Sequence, residues 1–471
     1  MTANTRYTIR VALIVALGGF LMGFDASVIS GVVSFIGPEF ELTNIQVGWA
    51  VASLTLTSTL AMMTAGPISD RFGRRPVLKV AAVLFAVSAI ASAIAPDYLT
   101  LVIARMLGGF GVGAALIIAP MYIAEISPPD IRGRMVSFNQ LNIVIGISVA
   151  YFSNFLILSL GQSDLAWAES LRLGDWNWRW MLGVEAIPAI IYFLALFWVP
   201  ESPRWLVMRG KAAEALQILS RVSGKTQAEA DLGAVQESLD AEAHLEKGSI
   251  KELFLPAMRL VLTIGIVIAI LQQITGINSV FFYAPMIFEQ SGIGTDAAFM
   301  QAVLVGIVNL VATVVAILLI DKLGRRPLLI TGLVIIVSSM LLLAYSFSSA
   351  SYGPGGELID MNATLVLIGI LSFVAGFGIS LGPVMWVLFS ELFPNRLRGI
   401  AISFCGLINS SVSFIVQLVF PWELENFGPA TTFLIYGSFA VVGLIFVMRI
   451  LPETKGRSLE ELEAELVTKK Q

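Results

Sequence analysis

A single carboxylate interrupts a long apolar run near the start of the chain. Asp25 is the one charged residue in the stretch 11–36, and Arg105 interrupts the similarly apolar stretch "LVIARMLGG". A charge at the centre of a bilayer costs about 2.5–3.5 kcal/mol, so such residues usually face a cavity and pair. We therefore expect Asp25 and Arg105 to pair. A functional pair and a structural ion pair both stay open at this point.

The composition predicts that these charges lie inside membrane helices. Hydrophobic residues make up 57% of the chain and charged residues 13%, against roughly 25% charged residues in an ordinary soluble protein. The hydrophobic residues stand in long apolar runs. Such runs span a bilayer as helices, because hydrocarbon offers the backbone no water partners. We therefore predict an all-α integral membrane protein. Its twelve spans are expected near 11–33, 47–69, 80–95, 99–123, 136–160, 181–199, 257–288, 297–320, 327–347, 363–390, 399–420 and 428–450.

Several other functions are disfavoured by residue content. Cys405 is the single cysteine and His244 the single histidine, which excludes an intrachain disulfide and a Cys/His metal cluster. No nucleophile–base pair or phosphate loop can be assembled, so we expect no enzyme activity and no nucleic-acid partner. The "GGFGVG" run follows no strand, and its Gly109 and Gly113 are spaced instead for close helix packing. The first apolar run is too long for a signal peptide.

The distribution of basic residues predicts the orientation. Eleven Lys and Arg residues lie in the short loops after even-numbered spans, and two lie in the loops after odd-numbered spans. Basic loops remain on the cytoplasmic side. We therefore expect a multi-pass protein of the plasma (inner) membrane with both termini cytoplasmic. We also expect membrane lipid around it and a monomeric state.

The chain contains an internal duplication. "SDRFGRRPVL" returns as "IDKLGRRPLL", "AEISPPDIRGRMVSF" as "SELFPNRLRGIAISF", and "PESPRW" as "PETKGR". Parallel six-helix repeats are a known transporter plan, with the substrate near the midplane between the halves. We predict six-helix bundles over 1–200 and 255–451, a cytoplasmic helical linker domain over 201–254, and a cytoplasmic tail over 452–471.

The duplicated motifs, together with "PESPRWL", "PETKG" and "QQITGIN", resemble the sugar porter family of the major facilitator superfamily. The likeness covers nearly the whole chain and is nearest to bacterial xylose–, arabinose– and glucose–proton symporters. It implies the major facilitator fold, with twelve helices in two halves. It also implies alternating-access transport of a monosaccharide, a hexose or a pentose.

The resemblance assigns a role to the intramembrane charges. In proton-coupled sugar porters the residues matching Asp25 and Arg105 form the coupling pair, whereas facilitative relatives carry Asn at the Asp25 position. Symport is therefore favoured, with protons as the coupling ion and no cofactor. Ionised Asp25 would hold Arg105, and the protonated acid would release it. Glu185, the third intramembrane charge, is expected to bond locally.

A sugar site needs neutral amides that both donate and accept, and an aromatic plate. Gly276 is expected to loosen the seventh span beside such amides. Departures in two helices leave the sugar open among xylose, glucose, galactose, arabinose and inositol. In the eleventh span Ser410 stands where many relatives have Trp and Ser413 where they often have Asn, and in the tenth span Gly378 stands where animal glucose transporters have Glu. The resemblance and the positions of amides within the spans give these candidate substrate-binding residues: Gln140, Gln272, Gln273, Asn278, Asn309, Trp386, Asn409, Phe24 and Tyr283.

Charged residues of the duplicated motifs are predicted to form a cytoplasmic gate. We expect Asp70 and Asp321 to accept from Arg residues of the opposite loops and from helix ends. The residues expected to link the two halves with Glu201 and Arg204 of the linker are Glu125, Arg132, Glu391 and Arg398. Topology signalling alone is the plainer alternative for the basic members. The candidate gate residues are Asp70, Arg74, Glu125, Arg132, Glu201, Arg204, Asp321, Arg325, Glu391 and Arg398.

The leading hypothesis is a proton-coupled monosaccharide importer. A facilitative sugar uniporter and a polyol or inositol–proton symporter are the alternatives from the same fold. A sugar sensor that does not transport is the alternative from another class.

Overall fold

The computed structural model describes residues 3–244, 249–352, 358–394 and 396–457. Most of the predicted tail, from residue 458 onward, lies outside the described residues. The α-helices are α1 Ala3–Val28, α2 Val33–Glu39, α3 Asn44–Phe72, α4 Arg74–Ala93, α5 Tyr98–Ile126, α6 Pro129–Gly161, α7 Ala166–Ser170, α8 Asn177–Gly183, α9 Ala186–Ala195, α10 Pro203–Met208, α11 Ala212–Val222, α12 Lys225–His244, α13 Arg259–Ile274, α14 Ile277–Glu289, α15 Thr295–Leu323, α16 Arg325–Ser348, α17 Ala363–Ile379, α18 Leu381–Leu392, α19 Arg398–Asn426 and α20 Gly428–Arg449.

Twelve helical segments of the described chain are long and apolar enough to cross a membrane, which confirms the predicted number of spans and the helical class. Three short 3-10 helices lie at Ile29–Gly31, Ile250–Phe254 and Pro256–Met258. A two-stranded antiparallel ladder, β1 Ser351–Tyr352 with β2 Leu358–Asp360, was not predicted. The protein is therefore a multi-pass membrane protein.

Three of the twelve spans consist of two helical pieces each. The sixth consists of α8 and α9, the seventh chiefly of α13 and α14, and the tenth of α17 and α18. Gly276 separates α13 from α14 with φ of +88°, a left-handed conformation that favours glycine. The break predicted at Gly276 is confirmed, and it places neighbouring amides at two helix ends.

Proline and serine define the break in the tenth span. α17 ends at Ile379, and Ser380 follows with φ of −128° and ψ of −94°. Pro383 has no N–H to donate to the Ile379 carbonyl, so the regular ladder stops there. The tenth span therefore bends at Ser380, just before Gly382 and Pro383.

The described chain divides into two compact units. The first consists of the described residues within Met1–Val28, Ser53–Ala150 and Trp176–Glu246. The second consists of those within Ile29–Ala52, Tyr151–Asp175 and Lys247–Gln471. Two segments of the first six spans thus belong to the second unit. The division into bundles, linker and tail made from the duplication stays a prediction.

Glycines bring helix backbones together in the first unit. A Cβ at Gly23 of α1 would stand 2.0 Å from the Ile143 carbonyl oxygen of α6, and one at Gly146 of α6 would stand 2.1 Å from the Phe20 carbonyl oxygen of α1. Real Cβ atoms do not come so close, so only glycine permits this crossing. The crossing fixes the part of α1 that carries Asp25.

The glycine pair of "GGFGVG" does the same for α5. A Cβ at Gly109 would stand 2.4 Å from the Leu54 carbonyl oxygen, and one at Gly113 would stand 2.2 Å from that of Ser58. Both carbonyls belong to α3, so the predicted close packing is confirmed. It fixes α5 one turn beyond Arg105.

Candidate functional site

The two intramembrane charges meet in the interior of the first unit. Asp25 is fully buried and Arg105 is 1% exposed. Arg105 Nη1 donates to Asp25 Oδ1 and to the Asp25 carbonyl oxygen, 3.2 Å away, and Nη2 donates to the same carbonyl at 3.2 Å. The arrangement is a charge-assisted ion pair enclosed by protein, in which the attraction is much stronger than in water.

Three polar atoms around this ion pair lack hydrogen-bond partners among the described residues. They are Asp25 Oδ2, Arg105 Nε and Glu185 Oε1. Glu185 is 2% exposed, and the charged groups acting on it are Asp25 and Arg105. The local bond expected for Glu185 is therefore missing at that oxygen. Glu185 immediately precedes α9, and the break in the sixth span brings it towards the ion pair.

Buried amides form a connected group in the second unit. We call Gln272, Gln273, Asn278 and Asn409 the amide cluster. Gln272 and Gln273 lie in the last turn of α13 and Asn278 in the first turn of α14. Gly276 breaks the helix between them; Gln272 and Gln273 bond to Asn409 of α19, and Asn278 bonds to Gln273.

Hydrogen bonds connect the whole amide cluster. Gln273 Nε2 donates to Gln272 Oε1 at 3.1 Å and to Asn409 Oδ1 at 3.2 Å. Asn409 Nδ2 donates to Gln272 Oε1 at 2.7 Å, and Asn278 Nδ2 donates to Gln273 Oε1 at 2.7 Å. Each amide both donates and accepts. The cluster can therefore exchange internal hydrogen bonds for bonds to a ligand that carries hydroxyl groups.

A serine and a glutamine of α19 and a tyrosine of α14 extend the amide cluster. Asn278 Nδ2 and Gln417 Nε2 both donate to Ser413 Oγ, at 2.6 and 2.7 Å. The hydroxyl of Tyr283 donates to the Gln417 carbonyl at 2.8 Å. Tyr283 is fully buried and has non-helical φ and ψ of −127° and 16° within α14. This polar line thus connects the amide cluster to a second irregular point of the seventh span.

The other candidate sugar residues have different environments. Trp386 of α18 is 44% exposed and stands edge-on to Phe389, with ring centroids 5.9 Å apart. Asn309 of α15 is buried, and a Cβ at Gly378 would lie 3.6 Å from its Oδ1. In the first unit, Phe24 is buried and Gln140 of α6 is exposed. The structure therefore brings together four of the nine candidates directly, through hydrogen bonds in the second unit.

The first charge cluster consists of Asp70, Arg74, Glu125 and Glu201. Arg74 binds Glu125 through two hydrogen bonds of 3.0 and 2.9 Å, and its Nη1 donates to Asp70 Oδ1 at 2.7 Å. Glu201 Oε1 accepts from the backbone N–H of Arg74 at 3.0 Å, at the start of α4. Burial raises the pKa of Glu201. Hydrogen bonds from the backbone N–H groups of Ser202, Arg75 and Arg74 oppose this rise.

The second charge cluster repeats this geometry with Asp321, Arg325, Glu391 and Glu453. Arg325 binds Glu391 through hydrogen bonds of 3.2 and 2.7 Å and pairs with Asp321 at 3.2 Å. Glu453 accepts from the backbone N–H of Arg325 at 3.0 Å and of Arg326 at 3.0 Å. The duplicated sequence motifs therefore fold into duplicated charge clusters.

The glycines of the duplicated motifs let Glu201 and Glu453 reach the backbone N–H groups at the starts of α4 and α16. Gly73 and Gly324 have φ of +103° and +96°, which favours glycine. A Cβ at Gly73 would lie 2.5 Å from Glu201 Oε2, and one at Gly324 would lie 2.8 Å from Glu453 Oε2. Each carboxylate thus occupies the space that a side chain would fill.

The contacts of the candidate gate residues differ from those expected. Asp70 and Asp321 pair with the Arg four residues on, rather than with the opposite loop. Arg132 and Arg398 donate to nearby carbonyls, of Ser127 and Phe393 at 3.4 Å each. Arg204 Nη1 donates to Ser238 Oγ of α12 at 3.3 Å. A link between the two halves through these residues stays a prediction.

Some residues around the sites were not among the sequence candidates. Glu453 occupies in the second cluster the place of Glu201 in the first, and the repeat of "PESPRW" as "PETKGR" carried the signal for it. Ser413 was noted only as a departure from the family, and Gln417 was not selected because the sequence does not show which face of α19 meets the amide cluster. Long-range packing decides that contact.

The fold and these sites define a class of protein. Twelve membrane helices, a duplicated half, a buried ion pair and a buried amide cluster are features of a secondary transporter. The chain matches the family model "Sugar (and other) transporter" over residues 11–466 and belongs to that family. Its relatives are transporters, which confirms the predicted family and the expectation of a transporter rather than an enzyme.

Curated relatives resemble the chain over nearly its full length. The arabinose-proton symporter of Bacillus subtilis is 38% identical, covering 97% of this chain and 94% of that protein. The D-xylose-proton symporter of Escherichia coli is also 38% identical, covering 98% and 96%. The glucose transport protein of Synechocystis is 35% identical, covering 98% of each.

Solved structures agree with the major facilitator fold. The inward open conformation of the xylose transporter XylE from E. coli matches with a TM-score of 0.81 at 36% identity, covering 98% of this chain and all of that one. The proton:xylose symporter XylE bound to 6-bromo-6-deoxy-D-glucose matches with a TM-score of 0.74 at 36% identity, with coverage of 98% and 100%.

Proposed function

We propose that this protein is a proton-coupled monosaccharide importer that works by alternating access. The observation that carries the proposal is the buried Asp25–Arg105 ion pair, a carboxylate enclosed by protein with one oxygen left unpartnered. The unpartnered oxygen of this carboxylate is available to accept a proton. The names of the arabinose and xylose symporter relatives support the same assignment.

The ion pair couples protonation to helix contacts. Ionised Asp25 holds Arg105 of α5 against α1 through its carboxylate and its carbonyl oxygen. A proton on Asp25 neutralises the negative charge that attracts Arg105. The ion pair between α1 and α5 is thereby weakened. Binding of a proton thus biases the equilibrium between two conformations, by as much as its affinity for them differs.

The amide cluster is the proposed sugar contact. Gln272, Gln273, Asn278 and Asn409 offer paired donors and acceptors for hydroxyl groups, and exposed Trp386 offers an apolar plate for the sugar ring. Gln140, Asn309, Phe24 and Tyr283 complete the proposed set by family likeness. Hexoses and pentoses both fit this chemistry.

The same proposal includes the surroundings of the protein. The basic residues of the loops after even-numbered spans support cytoplasmic termini and insertion in the plasma (inner) membrane. Exposed apolar side chains such as Val80, Leu318 and Val442 supply a surface for lipid. We propose that the transporter acts as a monomer, with protons as the coupling ion and no cofactor.

Transport by purified protein in liposomes tests this function. A panel of labelled xylose, arabinose, glucose, galactose and inositol is offered with and without an inward proton gradient. We expect accumulation of at least one monosaccharide above equilibrium with the gradient, and alkalinisation of the medium when that sugar is added. Equilibration without accumulation would instead indicate a uniporter, and accumulation of inositol alone a polyol symporter.

A further inference from the structure

Asp25 presents two different oxygens to its surroundings. Oδ1 accepts from Arg105 Nη1, whereas Oδ2 has no hydrogen-bond partner among the residues that the structure describes. The carboxylate is fully buried. A buried polar atom without a partner is costly, so a group that forms a hydrogen bond with Oδ2 would be stabilising.

Gly108 of α5 lies directly beside Oδ2. A Cβ built on Gly108 would lie 2.7 Å from Asp25 Oδ2 and 2.5 Å from Ser88 Oγ of α4, closer than real Cβ atoms come. Both oxygens therefore stand against the same face of Gly108, and only a glycine lets them approach it together. Ser88 is 3% exposed, so its hydroxyl is also held within the protein.

Gly108 lies one turn after Arg105 on α5, so the same helix supplies the cation for Oδ1 and the close backbone approach to Oδ2. From the elements packed on α1, the charged groups facing Asp25 are Arg105 and Glu185. Neither α1 nor α4 contributes another charge to the described contacts. Ser88 is thus the neutral group placed to serve the second oxygen.

We propose that Oδ2 is the atom of Asp25 that takes the proton, and that Ser88 is a positioning residue that accepts a hydrogen bond from the resulting O–H. The inference rests on the proposed proton coupling at Asp25 and deepens it. In the step an O–H bond forms on Oδ2 and the negative charge of the carboxylate is lost. Ser88 keeps its own proton and accepts through a lone pair of Oγ.

The proposed bond exists only with the protonated acid, so its loss should disfavour protonation. Ser88→Ala should shift the midpoint of the pH dependence of proton-driven uptake to lower pH by about half to one unit, the size expected for one hydrogen bond. Sugar counterflow without a proton gradient should keep its rate. Ser92→Ala is the matched control: Ser92 lies one turn along α4 and is also buried, and its midpoint should not move.

Infrared difference spectroscopy of the acidified protein supplies a readout that a structural role would not change. The C=O stretch that disappears in Asp25→Asn should move to higher frequency in Ser88→Ala, because the acid has lost its acceptor. If Ser88→Ala does not insert into the membrane, Ser88→Cys tests the same expectation, since a thiol is a weak acceptor. Gly108→Ala would push Asp25 Oδ2 and Ser88 Oγ aside and should reduce proton-driven accumulation.

The outcomes separate the two proposals. If Asp25→Asn abolishes accumulation while Ser88→Ala leaves both midpoint and infrared band in place, the role of Ser88 is wrong and the coupling role of Asp25 stands. If Asp25→Asn still accumulates sugar, the proposed function itself is wrong.

Discussion

Gly48 of α3 lies against the backbone of Leu418 of α19, and a Cβ at Gly48 would stand 1.9 Å from the Leu418 carbonyl oxygen. This contact joins the second span to the eleventh within the second unit. In the same unit, Ser34 Oγ donates to Glu289 Oε2 at 2.8 Å. Segments of the first repeat thus pack on the second repeat through a glycine and polar groups.

A larger side chain at Gly48 should prevent this contact. Overpacking of a tight site costs about 1–3 kcal/mol, so Gly48→Leu should slow counterflow strongly while equilibrium sugar binding persists. Gly66→Leu on the same helix is the control, because a Cβ there has no atom within 4 Å among the described residues. Normal counterflow by Gly48→Leu would show that transport does not require this close contact.

The amide cluster gives a prediction for sugar affinity. Gln273→Ala and Asn278→Ala should each weaken binding by roughly 1–3 kcal/mol, because each removes a polar partner from a buried site. Isothermal titration in detergent measures the effect. Asn426→Ala is the control, since Asn426 donates to the Trp422 carbonyl of its own helix and is exposed. Unchanged affinity in both cluster variants would place the sugar elsewhere.

Trp386 and Ser410 test the aromatic contact. Ser410 is half-buried on α19 and offers no ring, so Trp386 is the nearest candidate for stacking. Trp386→Ala should lose more affinity than Ser410→Ala, and Trp386→Phe should recover part of the loss. Ser410→Trp should narrow the site and shift preference towards pentoses. A sugar profile indifferent to Ser410→Trp would remove this position from the account of specificity.

The repeated charge clusters predict equal behaviour of two distant arginines. Arg74→Lys and Arg325→Lys should each lower thermal stability, because an ammonium cannot bind both carboxylate oxygens as a guanidinium does. The free energy of unfolding should fall by about 1–3 kcal/mol for each removed hydrogen bond to a charged group. Exposed Arg71→Lys is the control in a thermal-shift assay. A loss in one repeat alone would contradict their equivalence.

The sequence was most informative where one residue determines a local property. Hydropathy located twelve spans, and the requirement for a partner in hydrocarbon suggested the pairing of Asp25 with Arg105. The break at Gly276 could be predicted because a glycine within an apolar span loosens the helix. These features follow from the energy of single groups in a bilayer.

Features that depend on packing between distant segments were harder to predict. The contact of Gly48 with Leu418, and the approach of Ser88 and Gly108 to Asp25, depend on helix rotation and depth, which hydropathy does not determine. Glu185 was expected to bond locally because the sequence does not show the break between α8 and α9. Residues 29–52 belong to the second unit, and this assignment likewise depends on tertiary contacts.

Proton-driven accumulation by Asp25→Asn in liposomes tests the central claim most directly. Asn preserves the size of the side chain but cannot take a proton, so the variant should bind sugar and perform counterflow. It should not concentrate sugar when an inward proton gradient is imposed. Accumulation above equilibrium by correctly inserted Asp25→Asn would contradict the account, because the proton would then be carried by another group.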